Sequence, residues 1–241
     1  ALEKEKAGGG VLIDWGVHAI DILHWLFDGD LIASSYKDDG LGRVEADCEA
    51  ELKILCKEGE IPCSINLSRV RTFSNNLVAE GDRGSIEVRH DDLNRAYLSV
   101  NNCIGRLERS ILRKEKSEIE YFADQVRAFL GRSSVDIVDG NEGLKSLVVI
   151  EECYGKRRDM IYPWERHRKP NVGTSIGSRY KKMLVAGASG FLGTRLVERL
   201  TLDLNANVAA TIHRPERAAR LGRLPVERVE CDLLEQSQVL R

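Results

Sequence analysis

The stretch Gly8 to Phe27, GGGVLIDWGVHAIDILHWLF, constrains the fold of this chain more than any other. Three glycines lead into a long apolar run whose strongly polar interruptions are Asp14, His18, Asp21 and His24. At about 3.6 residues per turn, positions 14, 18, 21 and 25 share one face of a helix. Valine, leucine, isoleucine, tryptophan and phenylalanine fill the other faces, and a helix that is apolar nearly all round is expected to be buried. Trp15 and Trp25 are expected in the core with it. An aspartate and a histidine one turn apart on such a helix need a reason, because an unpaired buried charge is costly. Spacing alone leaves two readings open. The pair either caps local backbone, or the histidine works as a general acid/base with the carboxylate orienting it. A metal is not expected, since no HExxH supplies the further ligand. A nucleophilic triad lacks an evident serine or cysteine partner.

Composition narrows the function classes. The chain has 241 residues, enough for two domains, and its apolar content of 42% suffices for a core. A net charge of −2 gives no electrostatic footprint for nucleic acid or an anionic membrane. No apolar run reaches the roughly 18 residues of a membrane span, and nothing resembles a signal peptide. Cysteines 48, 56, 63, 103, 153 and 231 are scattered without a CxxC pair, which predicts free thiols in a reducing, cytoplasmic setting. The chain opens on Ala1 and closes on Arg241 just after a strand-like segment, so it reads as an excerpt of a longer protein.

Downstream of the opening helix the pattern has period two. Leu31 to Tyr36 is a predicted strand. Cys48, Ala50, Leu52, Ile54 and Cys56 alternate with Glu49, Glu51 and Lys53, as in an antiparallel strand covered on one side. Ile61, Cys63, Ile65 and Leu67 continue a hairpin, Leu77–Glu80 and Ser85–Arg89 form another around Gly81–Gly84, and Ala96–Val100 adds a strand. Helical spacing returns at Ser117–Leu130 and Asn141–Arg157, with a short extended piece at Val135–Val138 between them. Residues 1–162 therefore predict an α+β domain with an open, mainly antiparallel sheet covered by helices. Residues 163–182, with their prolines, glycines, serines and basic residues, predict a linker.

From Met183 the period changes again. A short apolar strand, the turn Gly187-Ala188-Ser189-Gly190-Phe191-Leu192-Gly193, a helix to Leu200, a strand Asn207–Ile212, a short helix Pro215–Leu221 and a strand Val226–Cys231 follow in order. This alternation predicts half of an α/β Rossmann domain over 183–241. Glycines between a strand and a helix permit a tight turn and close backbone approach, and the helix start offers free N–H groups to a pyrophosphate. VAGASGFLGTRLVERL resembles the start of an extended short-chain dehydrogenase/reductase of the NAD-dependent epimerase/dehydratase family. By that resemblance Gly187, Ser189, Gly190, Phe191, Leu192 and Gly193 contact the cofactor, and Asp232-Leu233 matches the family's adenine-contacting pair. Ala186 stands where threonine is usual. At the end of the second strand Arg214 takes the place of an acid, which leans the cofactor towards NADP; a solvated arginine at a helix start is the alternative. The family's Tyr-x-x-x-Lys pair is not among these residues.

GGGVLIDWGVHAIDILHWLFDG, the VAEGDRGSIEV hairpin, the YFADQVRAFLGR helix and VDGNEGLKSLVVIEECYGKRRD together resemble the C-terminal domain of the Gfo/Idh/MocA oxidoreductases, over residues 8 to about 160. The resemblance implies that His18 is the proton-transferring group, Asp14 its partner and Asp21 a structural acid. It also implies an NAD(P) cofactor, a sugar, polyol or nucleotide-sugar substrate, and a homo-oligomer formed through the sheet at 45–100. Neither nucleic acid nor membrane is an expected partner. The competing expectation is a non-catalytic scaffold or sugar-sensing module derived from such an oxidoreductase.

Overall fold

The computed structural model describes residues 4–27, 29–57, 59–89, 92–100, 103–110, 117–132, 139–162 and 182–239. The predicted piece at 135–138 and the linker residues 163–181 lie outside them. Two compact units emerge, Ala1–Arg71 with Gly140–Arg241, and Thr72–Asp139.

In the larger unit the strands β1 (Asp30–Asp38), β2 (Asp47–Cys56) and β3 (Gly59–Ser68) form an antiparallel meander. Cys48, Ala50, Leu52 and Ile54 are buried, in line with the alternation expected for β2. A bulge between Ala33 and Ser35 shifts the phase of β1, so that Leu31 and Ala33 point inward before it and Tyr36 and Asp38 after it. The short strand Arg157–Asp159 pairs in parallel with β1, giving the order β3, β2, β1 and then this edge strand. Sequence spacing places Arg157 at the end of the preceding helix, which instead stops at Gly155.

The opening segment is not one helix. A short turn Lys4–Ala7 (α1) ends at the glycines, a π-helical turn covers Leu12–Gly16, and α2 runs over Val17–Leu26. Val11, Leu12, Ile20 and Leu23 pack on the sheet with Val149, Ile150 and Cys153 of the helix Gly140–Gly155. Burying each of the larger side chains contributes about 1.5–3 kcal/mol. The expectation of all-round burial fails. Trp15 is 53% exposed and Trp25 83%, because only one stripe of α2 faces the core.

Residues 183–239 add a separate parallel sheet to this unit, with Val208–Ile212 between Met183–Val185 and Glu227–Glu230. Every residue of the central strand is buried, as a parallel strand covered on both faces requires. The helix Phe191–Glu198 passes into a π-helical turn, Arg199–Asp203. The expected helix at 215–221 is instead two 3₁₀ turns, Pro215–Arg217 and Ala219–Arg223.

The smaller unit carries a four-stranded antiparallel sheet of Asn76–Gly81, Gly84–Arg89, Asp92–Val100 and Cys103–Ser110, and the helix Glu118–Phe129. Ser117 and Glu120 form a capping box at that helix start. The last strand goes beyond the sequence expectation. Residues 45–100 are thus divided between two sheets rather than forming one, and the turn after Ser68 begins the division.

Candidate functional site

The three opening glycines are demanded by backbone conformation at the first and by contact at the other two. Gly8 has a φ of 72°, where a side chain is strained. A Cβ on Gly9 would collide with the Tyr154 hydroxyl, and one on Gly10 with the Glu45 carbonyl oxygen, each closer than 3.0 Å. This close approach brings the buried Glu45 carboxylate to the helix start. Its Oε1 accepts from the backbone N–H of Gly10 (2.9 Å) and Leu12 (3.2 Å) and from the Tyr154 hydroxyl (2.8 Å). A negative charge at a helix N-terminus is stabilising. Burial, and then Glu45, hold the Tyr154 phenol above its usual pKa. Arg157 Nη2 lies 3.7 Å from Glu45 Oε2, and its Nε is 2.6 Å from Asp38 Oδ2.

With its start fixed in this way, the helix turns Asp14, His18 and Asp21 towards solvent. Asp14 pairs with Arg69, just beyond β3, rather than with His18. The His18 imidazole has no hydrogen bond or ion pair among the described residues. Further along α2, His24 is half-buried, and burial followed by the nearby Lys145 charge lowers its pKa below the usual imidazole value. No group of histidines, cysteines and carboxylates among the described residues could hold a metal ion.

The second glycine run has a different environment. Gly187 has a φ of 67°, and a Cβ on Gly193 would collide with the Gly187 carbonyl oxygen. Gly187 N–H donates to Thr211 Oγ1 (3.2 Å), and Gly190 N–H to the Gly187 carbonyl (3.0 Å), closing the turn. Gly190 is the N-cap of the following helix and offers no side chain to its free N–H groups. Such a cradle fits a pyrophosphate. Phe191 and Leu192 are exposed. At the strand ends, His213 Nε2 lies 3.5 Å from Asp232 Oδ2, while Leu233 is exposed.

An open pocket of about 420 Å³ adjoins this turn, lined by Ser189, Gly190 and Phe191 on one side and Glu216, Arg217 and Arg220 on another. Arg195 and Arg69 also line it. Of the residues assigned to the cofactor by sequence, the pocket brings together Ser189, Gly190 and Phe191. Gly187, Leu192, Gly193, Arg214, Asp232 and Leu233 are not among its lining residues.

A buried polar cluster lies within the same unit. Arg223 is 2% exposed, with Nη2 3.2 Å from Glu198 Oε1 and Nη1 3.8 Å from Asp39 Oδ2. Its guanidinium also sits 5.8 Å from the ring centroid of Tyr162, whose hydroxyl donates to Asp47 (2.7 Å). Burial raises the Asp39 pKa to about 6, against the opposing pull of backbone donors and Arg223.

Residues 1–87 match the GFO/IDH/MocA C-terminal domain, and residues 183–241 match the NAD dependent epimerase/dehydratase family. Each of these two matches covers less than half of the chain. Among solved structures, the 3-ketoreductase KijD10 from Actinomadura kijaniata, in complex with TDP-benzene and NADP, is 15% identical with a TM-score of 0.51. The match covers 64% of this chain and 49% of that one. A lysine-to-alanine mutant of the same ketoreductase gives 17% identity and a TM-score of 0.50, covering 64% and 50%. Levoglucosan dehydrogenase, complexed with NADH and levoglucosan, gives 17% identity and a TM-score of 0.48, covering 65% and 51%. The chain spans about half the length of these structures. No curated protein matches it in sequence. No helix among the described residues is long and apolar enough to cross a membrane.

Sequence reasoning missed Glu45, Arg69, Arg217, Arg220 and Arg223. Each is a charged residue in or beside a loop, where no periodicity marks it. The one available signal was Glu45 itself, an acid between Val44 and Ala46 in a stretch leading into a buried strand.

Proposed function

We propose that the chain is part of a fused NAD(P)-dependent oxidoreductase acting on a hydroxyl or carbonyl of a sugar, polyol or nucleotide sugar. The observation that carries this reading is the helix of the 1–87 segment, anchored at its start by Glu45 and exposing Asp14 and His18 one turn apart on its solvent side. An exposed imidazole without a competing partner is available to a substrate hydroxyl. In the oxidative direction His18 Nε2 or Nδ1 takes the hydroxyl proton, and in the reductive direction it returns it. Asp14 holds the substrate or the imidazole in place. A nicotinamide supplies the hydride acceptor or donor when bound. The ketoreductase of similar fold is in complex with NADP, which supports the cofactor class.

For residues 183–239 we propose a dinucleotide site with its pyrophosphate at Gly187, Ser189, Gly190 and Gly193. Phe191 and Leu192 border it, and Asp232 and Leu233 take the adenine. Arg214, with Arg217 close behind it in sequence, favours the 2′-phosphate of NADP. We also propose self-association of the chain through its antiparallel strands.

The decisive test is His18→Ala in the full-length protein, assayed with a panel of sugars and polyols. Turnover should fall about 100-fold or more while the thermal melt stays unchanged, because the side chain is exposed. Unchanged turnover removes His18 from the chemistry.

A further inference from the structure

Arg69 belongs to the 1–87 segment, yet it lines the pocket beside the glycine turn at Ser189, Gly190 and Phe191. Its backbone is held firmly. The Arg69 N–H donates to the Ala46 carbonyl (2.7 Å), and Ser68 Oγ accepts from the N–H groups of Val70 (3.0 Å) and Arg71 (2.7 Å). Arg71, two residues on, is pinned by Asp47 (2.6 Å) and Glu49 (3.3 Å). The loop therefore holds Arg69 at the pocket edge on a fixed base, with its 39% exposed side chain turned to Asp14.

The lining is strongly cationic: Arg69, Arg195, Arg217 and Arg220 face a single carboxylate, Glu216. Arg195 is engaged by Glu198 at 2.6 Å. Arg217 and Arg220 have no ion pair among the described residues. Among the described residues the Arg69 side chain pairs with Asp14, whose carboxylate is 53% exposed. Exposed pairs of this kind are weak. A phosphate can bind a guanidinium through two charge-assisted hydrogen bonds, where Asp14 accepts one, from Nη2.

Resting on the reading of 187–193 as a dinucleotide turn, we propose that Arg69 completes the nucleotide pocket of residues 183–239 by binding a ligand phosphate, and leaves Asp14 when it does so. The pocket is then a composite of both family segments. Its occupancy frees Asp14 beside His18, so nucleotide binding in one segment alters the charge at the acid/base pair of the other. Such coupling is reciprocal: whatever strengthens the Asp14–Arg69 pair must weaken the nucleotide, and the reverse.

The test is calorimetric titration of NADP into the 241-residue chain at low salt, with thermal melts run on every variant. Arg69→Ala should weaken binding about tenfold, the loss of one charge-assisted contact. Arg69→Lys should recover part of that, since an ammonium keeps the charge but not the fork. Asp14→Asn should tighten binding about twofold to fivefold by releasing Arg69. Affinities of Arg69→Ala and Asp14→Asn equal to that of the unaltered chain would overturn the proposal while leaving the dinucleotide turn intact. Weaker binding in Asp14→Asn would overturn the competition. Failure of the unaltered chain to bind NADP would overturn the dinucleotide reading itself.

Discussion

Gly8–Gly10 and Gly187–Gly193 are both glycine runs that open a helix, and they end in opposite chemistry. In the first, the Glu45 carboxylate occupies the helix start and satisfies the N–H groups of Gly10 and Leu12. A second anion has no place there. In the second, Gly190 caps the helix without a side chain, and the adjoining pocket is lined by arginines. Glycine at these positions does the same steric work in both, namely close approach and left-handed backbone. What separates a closed structural joint from an open anion cradle is the charge that arrives from elsewhere in the fold.

Removing the closing charge should have the largest effect. Glu45→Ala leaves the helix N–H groups, the Tyr154 hydroxyl and Arg157 short of their buried partner, and is expected to cost about 3–5 kcal/mol in urea denaturation. A loss under about 1 kcal/mol would show that the first helix start is not closed by Glu45.

Asp39 lies in the same β1–β2 connection as Glu45 but faces Arg223 of the second segment. Its pKa is raised to about 6 by burial, above the ordinary 3.8, so the folded chain binds more protons than the unfolded one between those values. Its contribution to stability is therefore fully present below about pH 4 and is lost as pH rises through about 6. Asp47, Arg223 and Tyr162 face it. The Arg223 guanidinium stays charged throughout, and burial holds the Tyr162 phenol above its usual range, so neither titrates in this window. Denaturation measured across it should show stability falling with pH, and Asp39→Asn should flatten the slope. A slope unchanged in Asp39→Asn would assign the pH dependence to another group.

Gly193→Ala probes the open start. The added Cβ would run into the Gly187 carbonyl oxygen. Overpacking of that kind costs about 1–3 kcal/mol, which, borne by the bound turn, is about 5- to 150-fold in dinucleotide affinity. Titration with NADP measures it. The smallest effects test the shared half of the comparison. Gly8→Ala and Gly187→Ala each force an alanine to positive φ. Each should cost a similar amount, about 1–2 kcal/mol. Markedly unequal losses in thermal denaturation would mean that the two turns are not sterically equivalent.

Much of the fold was legible because burial imposes a period. The alternation of Cys48, Ala50, Leu52 and Ile54 and the strand–glycine–helix order after Met183 both appear in the structure. The opening helix departs from expectation because apolar content does not by itself mean burial. Trp15, Trp25, Ile22 and Leu26 remain exposed, since a helix lying on a sheet buries one stripe whatever its other faces carry. The strand at Cys103–Ser110 escaped the sequence pattern because its residues do not alternate cleanly between apolar and polar. Arg223 could not have been read at all. Its partners Glu198 and Asp39 are 25 and 184 residues away, and nothing local distinguishes it from Arg217 or Arg220.

The sequence by itself determined most of the strands of the first sheet, the strand–glycine–helix order after Met183, and that an aspartate and a histidine lie one turn apart near the start. These are local properties, set by the period of each element and the sterics of each turn. Tertiary structure alone decided that Asp14 meets Arg69, that Glu45 fills the first helix start, and that the second adjoins a pocket lined by arginines. Charges act across space rather than along the chain, so their partners became known only once the strands had brought residues 14, 45, 69 and 190 to their places.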